Sequence, residues 1–264
     1  MIIGISVDVD QLDRYYDIIA RNLDIIEHIQ FYLDGSPLYF QKQEIIKFKT
    51  LFNKSKLTYS LHSYGYINLC ETIDTVRKCW VDLACKTIDL ANEMHCDFVN
   101  YHMGYTFSKS IPREYLLERL CQSLKDMSKY LQGTSVDINI ENDFNTPELE
   151  RLGSQMQDFD IILSRNYSKV KLCYDIGHAN IAFSSAYKYR DYIDYIQSFH
   201  IHNNWKTSDD HNPFGKNGSI NLEEVLADIF KYSNIYFILE NDVEMSKHAL
   251  NNLRNSLNSM GKPI

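Results

Sequence analysis

The chain has 264 residues, 44% of them hydrophobic, and a formal net charge of −8. That length fits one α/β domain over residues 1–264, and the acidity argues against a protein that grips polyanions by bulk electrostatics. No run of 18 or more apolar residues occurs, and the opening MIIGISVDVDQ meets acidic residues too early for a signal peptide, so a soluble cytoplasmic protein with no membrane partner and no obligate protein partner is expected.

Short β-rich runs alternate with longer amphipathic stretches. The first strand is predicted over Ile2 to Val7, the second over Asp24 to Tyr32 and the third over Leu57 to His62. Before the third, the lysine-rich run Lys42 to Lys56 has helical spacing and reads as a solvated helix face. A helix over Thr72 to Met94 leads to a strand from Asp97 to His102. Pro112 stands where an N1 proline would open the next helix, which runs to Leu131, and Gly133 follows it as a C-cap glycine would. Strands follow at Val136 to Glu141, Val170 to Asp175 and Gln197 to His202. A helix over Leu222 to Tyr232, a strand over Ile235 to Glu240 and a helix over Ser246 to Met260 complete the chain.

Eight strands with intervening helices in this length fit a single (β/α)8 barrel better than an open sheet. VDVDQLD follows the first strand in place of any glycine-rich phosphate loop, which removes the main support for a dinucleotide-binding fold. The six cysteines include no C-x-x-C pair and sit mostly in apolar segments, so buried free thiols are expected.

In such a barrel the C-terminal strand ends and the loops after them converge on one mouth. Nine potential metal ligands fall there: His62, His102, Glu141, Asp175, His178, His200, Asp209, His211 and Glu240. Singly, each has an ordinary reading as a hydrogen-bonded histidine or a paired carboxylate. Jointly, they would be costly to bury without cations. Imidazole and carboxylate without thiolate suit Zn, Mn, Fe or Co.

The motifs LHSYGYINL, VNYHMG, INIEN, LCYDIGHA, FHIHNN, DDHNPFG and FILEN occur in this order. Through them the chain resembles the xylose isomerase-like TIM-barrel superfamily, which joins endonuclease IV-type apurinic endonucleases with sugar phosphate isomerases and epimerases. The resemblance implies that His62 and His102 hold one zinc ion, with Glu141 bridging to a second. Asp175, His200 and Glu240 would complete the second, and His178, Asp209 and His211 would hold a third. FHIHNN offers two histidines; aligning Asn203 with the family's aspartate makes His200 the ligand and leaves His202 as a substrate contact.

Two or three zinc ions suit hydrolysis of a phosphoester, with Glu141, Glu240 and His178 as catalytic residues. Cleavage beside an abasic site in damaged DNA is the family's best-known example. The alternative is isomerisation or epimerisation of a sugar or sugar phosphate, in which one Mn, Co or Mg ion is held by Glu141, Asp175, His200 and Glu240. The two glutamates would then exchange a proton next to the carbonyl. A metal-stabilised binding module without catalysis is a third reading. Two departures weaken a DNA-binding surface: Gly65 stands where the family usually has a tyrosine, and FYLDGSPLYF contains no arginine or lysine. Tyr64 or Tyr66 would have to substitute. With Tyr101, Tyr105 and Trp205 they are candidates to stack on a base or sugar, beside His202 and Asn203.

Overall fold

The computed structural model describes every residue except 34, 184, 216 and 262–264. Asp34 of FYLDGSPLYF, Lys216 just after DDHNPFG and the last three residues of the expected domain therefore lie outside the described residues. Eight parallel strands close into a barrel in the order β1-β10-β9-β8-β6-β4-β3-β2. They are β1 (Ile2–Asp8), β2 (His28–Tyr32), β3 (Thr58–His62), β4 (Phe98–His102), β6 (Asp137–Glu141), β8 (Val170–Asp175), β9 (Ile196–Ile201) and β10 (Tyr236–Leu239). Two short strands, β5 (Tyr105–Thr106) and β7 (Glu150–Arg151), pair antiparallel outside the barrel. The helices are α1 (Leu12–Ala20), α2 (Leu38–Leu51), α3 (Asp74–Glu93), α4 (Arg113–Tyr130), α5 (Met156–Leu163), α6 (Ile176–Ala182), α7 (Leu222–Ile229) and α8 (Val243–Ser259). No helix among the described residues is long and apolar enough to cross a membrane.

The strand pleat separates two environments, because alternate residues face opposite sides of a strand. On β1, Ile3, Ile5 and Val7 are buried, while Ser6 and Asp8 line the mouth. The apolar core therefore lies between barrel and helices, where α3 contributes Ala84, Ile88 and Ala91 and α4 contributes Leu116, Leu120 and Leu124. Each fully buried leucine or isoleucine of this shell contributes about 1.5–3 kcal/mol. The lumen is different. Two residues behind the rim, the inward positions are Ser6, Gln30, Ser60, Asn100, Asn139, Cys173, Ser198 and Ile238, all buried. Barrels of this type usually fill that layer with branched apolar side chains.

Several boundaries differ from the sequence reading. The second strand starts at His28, not Asp24, because Ile25 and Ile26 donate their N–H groups to Asn22 O at 3.0 and 2.8 Å in a turn. Pro112 is the residue before α4 rather than its first residue: its ψ of 138° is extended, and its carbonyl accepts from Tyr115 and Leu116. Gly133 closes a 3-10 turn from Leu131 and does not adopt a left-handed backbone. In the lysine run, Lys42 and Lys47 pair with Glu93 and Glu44, but Lys49 is half-buried with its ammonium 4.0 Å above the Tyr59 ring. All six cysteines are free thiols; Cys70, Cys96, Cys121 and Cys173 are buried, Cys85 is half-buried and Cys79 is exposed.

Candidate metal centre

His62, His102, Glu141 and Asp175 are the last residues of β3, β4, β6 and β8, which aims all four at the mouth. His200 lies within β9, His202 just past it and Glu240 just past β10. His178 stands in the first turn of α6, and Asp209 and His211 belong to the loop after β9. A cavity of about 410 Å³ opens here, lined by His62, His102, Glu141, His178, Asp209, His211 and Glu240. Asp175 and His200 lie beneath it, fully buried.

The nine side chains meet in three overlapping groups. In the first, His62 Nε2 is 3.3 Å from Glu141 Oε2, and His102 lies beside them, its ring centroid 5.3 Å from that of His62. In the second, His200 Nδ1 is 3.2 Å from Glu141 Oε1, 3.1 Å from Glu240 Oε2 and 3.8 Å from Asp175 Oδ2. In the third, a single oxygen, Asp209 Oδ2, is 3.3 Å from His178 Nε2 and 3.0 Å from His211 Nε2. Glu141 belongs to the first two groups, and its Oε1 is also 3.4 Å from His178 Nδ1.

Three of the imidazoles are oriented alike. Nδ1 of His62 faces Ser63 O at 2.8 Å, Nδ1 of His178 faces Asn142 O at 3.0 Å, and Nδ1 of His211 faces Glu240 O at 3.0 Å. A carbonyl can only accept, so each Nδ1 carries its proton there and each Nε2 is turned toward carboxylate oxygen. Metal-binding histidines show this arrangement almost always. His211 reaches it with φ at 46°, in the left-handed region that non-glycine residues seldom occupy. Asn100 Nδ2 donates to Glu141 Oε2 from the lumen layer below.

His202, expected as a substrate contact, lies outside the cavity lining. It is completely buried, its Nε2 is 3.1 Å from both oxygens of Asp175, and its ring stacks on His211 with centroids 4.0 Å apart. Gly177 makes room for it, since a Cβ there would run into the His202 ring. This explains the glycine of the Y-D-I-G-H motif.

Charge among these side chains is distributed by mutual pairing. Burial alone would raise the Glu141 carboxyl, but His200 and His102 hold it well below its ordinary value. Glu240 and Asp209 are lowered in the same way against their burial, the first by His200 and His211, the second by His178 and His211. The histidines answer in the opposite sense. Burial disfavours their charged forms, yet Asp175 and Asp209 raise His178, Cys173, Glu240 and Glu141 raise His200, and Asp209 and Glu240 bring His211 to about 10.

These residues fit divalent metal ions. Ligand atoms within 4.8 Å of one another are found in the groups His62–His102–Glu141, His62–His200–Glu240 and Asp175–His178–His202, each of which could hold an ion. The Cys173 thiol joins Glu141 and His200 in a further group, so a thiol does stand beside the nitrogen and oxygen donors.

The remaining expected substrate contacts lie away from the cavity lining. Tyr64 is buried with its hydroxyl donating to Ser36 O at 3.1 Å, and it stacks on Tyr66, which packs against Trp80. Tyr101 points outward, its hydroxyl against Ala84 O on α3. Asn203 is buried; its amide nitrogen donates to Gly215 O and Ile220 O, and its oxygen accepts from the Asn204 and Ile220 N–H groups. Trp205 is solvent-exposed. In their place the cavity presents Tyr32, Asp8 and Arg151. Tyr32 and Asp8 end strands just as the ligands do, a signal the sequence contained. Arg151, on the short strand β7 outside the barrel, had none.

The family model described as xylose isomerase-like TIM barrel matches residues 21–258. The chain belongs to that family. Among curated relatives, this xylose isomerase-like barrel is 26% identical over 118 residues to a protein of Natronomonas pharaonis described as "Probable endonuclease 4". The match covers 45% of the chain and only 40% of that relative's length. Among solved structures, a D-tagatose 3-epimerase-like protein superposes with a TM-score of 0.82 at 21% identity, covering 99% of both chains. Endonuclease IV from Thermus thermophilus superposes with a TM-score of 0.69 at 16% identity, covering 98% of this chain and 100% of its own. At these identities the likeness is one of fold. The names of these relatives point to nucleic acid in one case and to sugars in the other.

Proposed function

We propose that the protein is a metal-dependent hydrolase of phosphoesters with two or three zinc ions in its mouth. The observation that carries this reading is the third group, in which His178 and His211 aim Nε2 at one oxygen of Asp209. An enzyme needing one ion at Glu141, Asp175, His200 and Glu240 has no use for a second, separately oriented set of donors. When bound, the ions supply Lewis acidity to phosphoryl oxygens and acidify coordinated water. The chain supplies the rest. Glu240 lies on the cavity surface, ionised, where it can accept a proton from the attacking water, while buried Glu141 is fixed by Asn100 and ties the first group to the second. His178 and His211, oriented by backbone carbonyls, complete the third group and leave the cavity to the substrate. The net charge of −8 does not favour duplex DNA, and a cavity of about 410 Å³ suits a small phosphoester as the preferred substrate.

A second reading has its own support. Glu141 and Glu240 approach the same atom, His200 Nδ1, at 3.2 and 3.1 Å, so two carboxylates flank one point as proton exchange at a carbon beside a carbonyl requires. The test is the zinc-loaded protein offered p-nitrophenyl phosphate, bis(p-nitrophenyl) phosphate, an abasic-site duplex and a panel of ketoses with their phosphates. Phosphate-ester cleavage abolished in His178→Ala and His211→Ala supports hydrolysis. Ketose interconversion that survives both substitutions overturns it in favour of the one-metal epimerase.

A further inference from the structure

The mouth is lined by ionisable groups of both signs. Asp8, Glu141, Asp209, Glu240 and Asp242 line its cavity, and Arg151 is the only lysine or arginine among the described lining residues. A guanidinium in that setting either balances the wall's own charge or receives an anion from outside.

The way Arg151 is held favours an incoming anion. It lies on β7, paired with Tyr105 of β5, and its backbone N–H donates to Asn145 Oδ1 at 2.8 Å, so the two-strand ladder fixes where it starts. Asp143 accepts from it at 3.0 and 3.1 Å, both times from Nη1. That carboxylate is buried behind the cavity surface and is shared with His102, whose Nδ1 is 3.3 Å away. Nε is buried and has no acceptor among the described residues, while 29% of the side chain stays exposed and the residue lines the cavity. A guanidinium carries five N–H donors in one rigid plane and is suited to phosphate or carboxylate; here Asp143 engages one nitrogen and anchors the group without using its capacity.

Its place relative to the metal centre is also defined. Asp143 links Arg151 to His102 on one flank. On the other, the Phe144 ring lies 5.7 Å from the guanidinium and 5.3 Å from the His178 ring. Arg151 is thus one side chain removed from two of the three groups, at the rim of a cavity of about 410 Å³, a volume suited to a small molecule.

We propose that Arg151 binds an anionic group of the substrate other than the phosphoryl that is cleaved, so that the substrate is a small phosphoester bearing a second phosphate or a carboxylate. That the substrate is a phosphoester rests on the hydrolytic reading; the second anion rests on the cavity alone.

Calorimetric titration of the zinc-loaded full chain with two matched pairs tests it. 3-Phosphoglycerate against glycerol 3-phosphate adds a carboxylate to one skeleton, and fructose 1,6-bisphosphate against fructose 6-phosphate adds a phosphate. The doubly anionic member of at least one pair is expected to bind at least about tenfold more tightly, and which pair shows it identifies the anion. In Arg151→Met the preference should shrink to within about twofold while zinc content is unchanged; Arg151→Gln, which keeps a donor toward Asp143, serves if the methionine variant does not fold. No preference in the wild type for either pair, or a preference that survives the substitution, overturns the assignment. The two readings fail separately: the preference without turnover of any phosphoester upholds Arg151 and removes hydrolysis, whereas turnover of p-nitrophenyl phosphate without the preference upholds hydrolysis and removes Arg151.

Discussion

A Cβ built on Gly65 would lie 3.0 Å from the Tyr32 hydroxyl. The bare backbone at 65 therefore lets Tyr32 lean over His62, with ring centroids 4.6 Å apart. Burial, reinforced by Glu240 and Glu141, pushes the phenol up to about 12, so it keeps its proton and can donate to an anionic ligand. Because the crowded atom is the far end of a side chain, Gly65→Ala should be tolerated, with Tm within about 2 °C of wild type. Tyr32→Phe should leave Tm and zinc content alone but raise KM for p-nitrophenyl phosphate severalfold. An unchanged KM would remove Tyr32 from the substrate site.

Metal content follows from the overlap of the three groups. Protein purified without added metal should carry two or three zinc equivalents by elemental analysis. His178→Ala or His211→Ala should lose about one, and Glu141→Gln, common to two groups, should lose more. Stripping with a chelator should lower Tm reversibly, since an ion at a hundred times its Kd stabilises the fold by about 2.7 kcal/mol. One equivalent in wild type, untouched by His178→Ala, would sink the multi-ion centre.

The dependence on pH should reverse sign with metal. In the metal-free protein His178, His200 and His211 titrate above the ordinary imidazole value of 6.5, His211 at about 10. Raised values stabilise the fold fully below about 6.5, and the contribution fades as pH climbs toward about 10. Glu141, Glu240 and Asp209 are depressed and stabilise above about pH 4, losing the effect as pH falls. Tm of chelator-treated protein should accordingly decline between pH 6.5 and 9. Zinc competes with those same protons, so its affinity should rise over that interval. Melts of both forms in matched buffers check this; a common slope would contradict it.

Asn100 acts through Glu141. Removing its donor in Asn100→Leu leaves a buried carboxylate oxygen short of a partner, at a cost of about 1–3 kcal/mol without metal. Loss of such an orienting bond typically weakens metal binding by about 10–100-fold. Zinc titration against a competing chelator measures it, and an affinity within twofold of wild type would show that Glu141 needs no such support.

The barrel was legible because its strands end in chemistry: period-two runs stopping at His62, His102, Glu141 and Asp175 mark both the wall and the mouth. The second strand's start was not, because Ile25 and Ile26 carry β-prone side chains through a turn fixed by backbone bonds to Asn22. Aromatic residues near the mouth misled for a similar reason. Sequence distance from a ligand says little about direction, and Tyr101, adjacent to His102, faces the opposite side of the strand. Arg151 depends on an antiparallel pairing of two segments distant in sequence, brought beside Asp143, a tertiary fact with no periodic trace.

The hydrophilic lumen beneath the rim has a lasting consequence. Because cohesion resides in the sleeve between strands and helices, the inward positions from Gln30 to Ser198 hold little of the apolar adhesion that keeps the molecule folded. Mutational drift there can retune donors, ions and reactants while the outer jacket stays intact. One cylinder can in this way take on new chemistry at its mouth without first relearning how to fold.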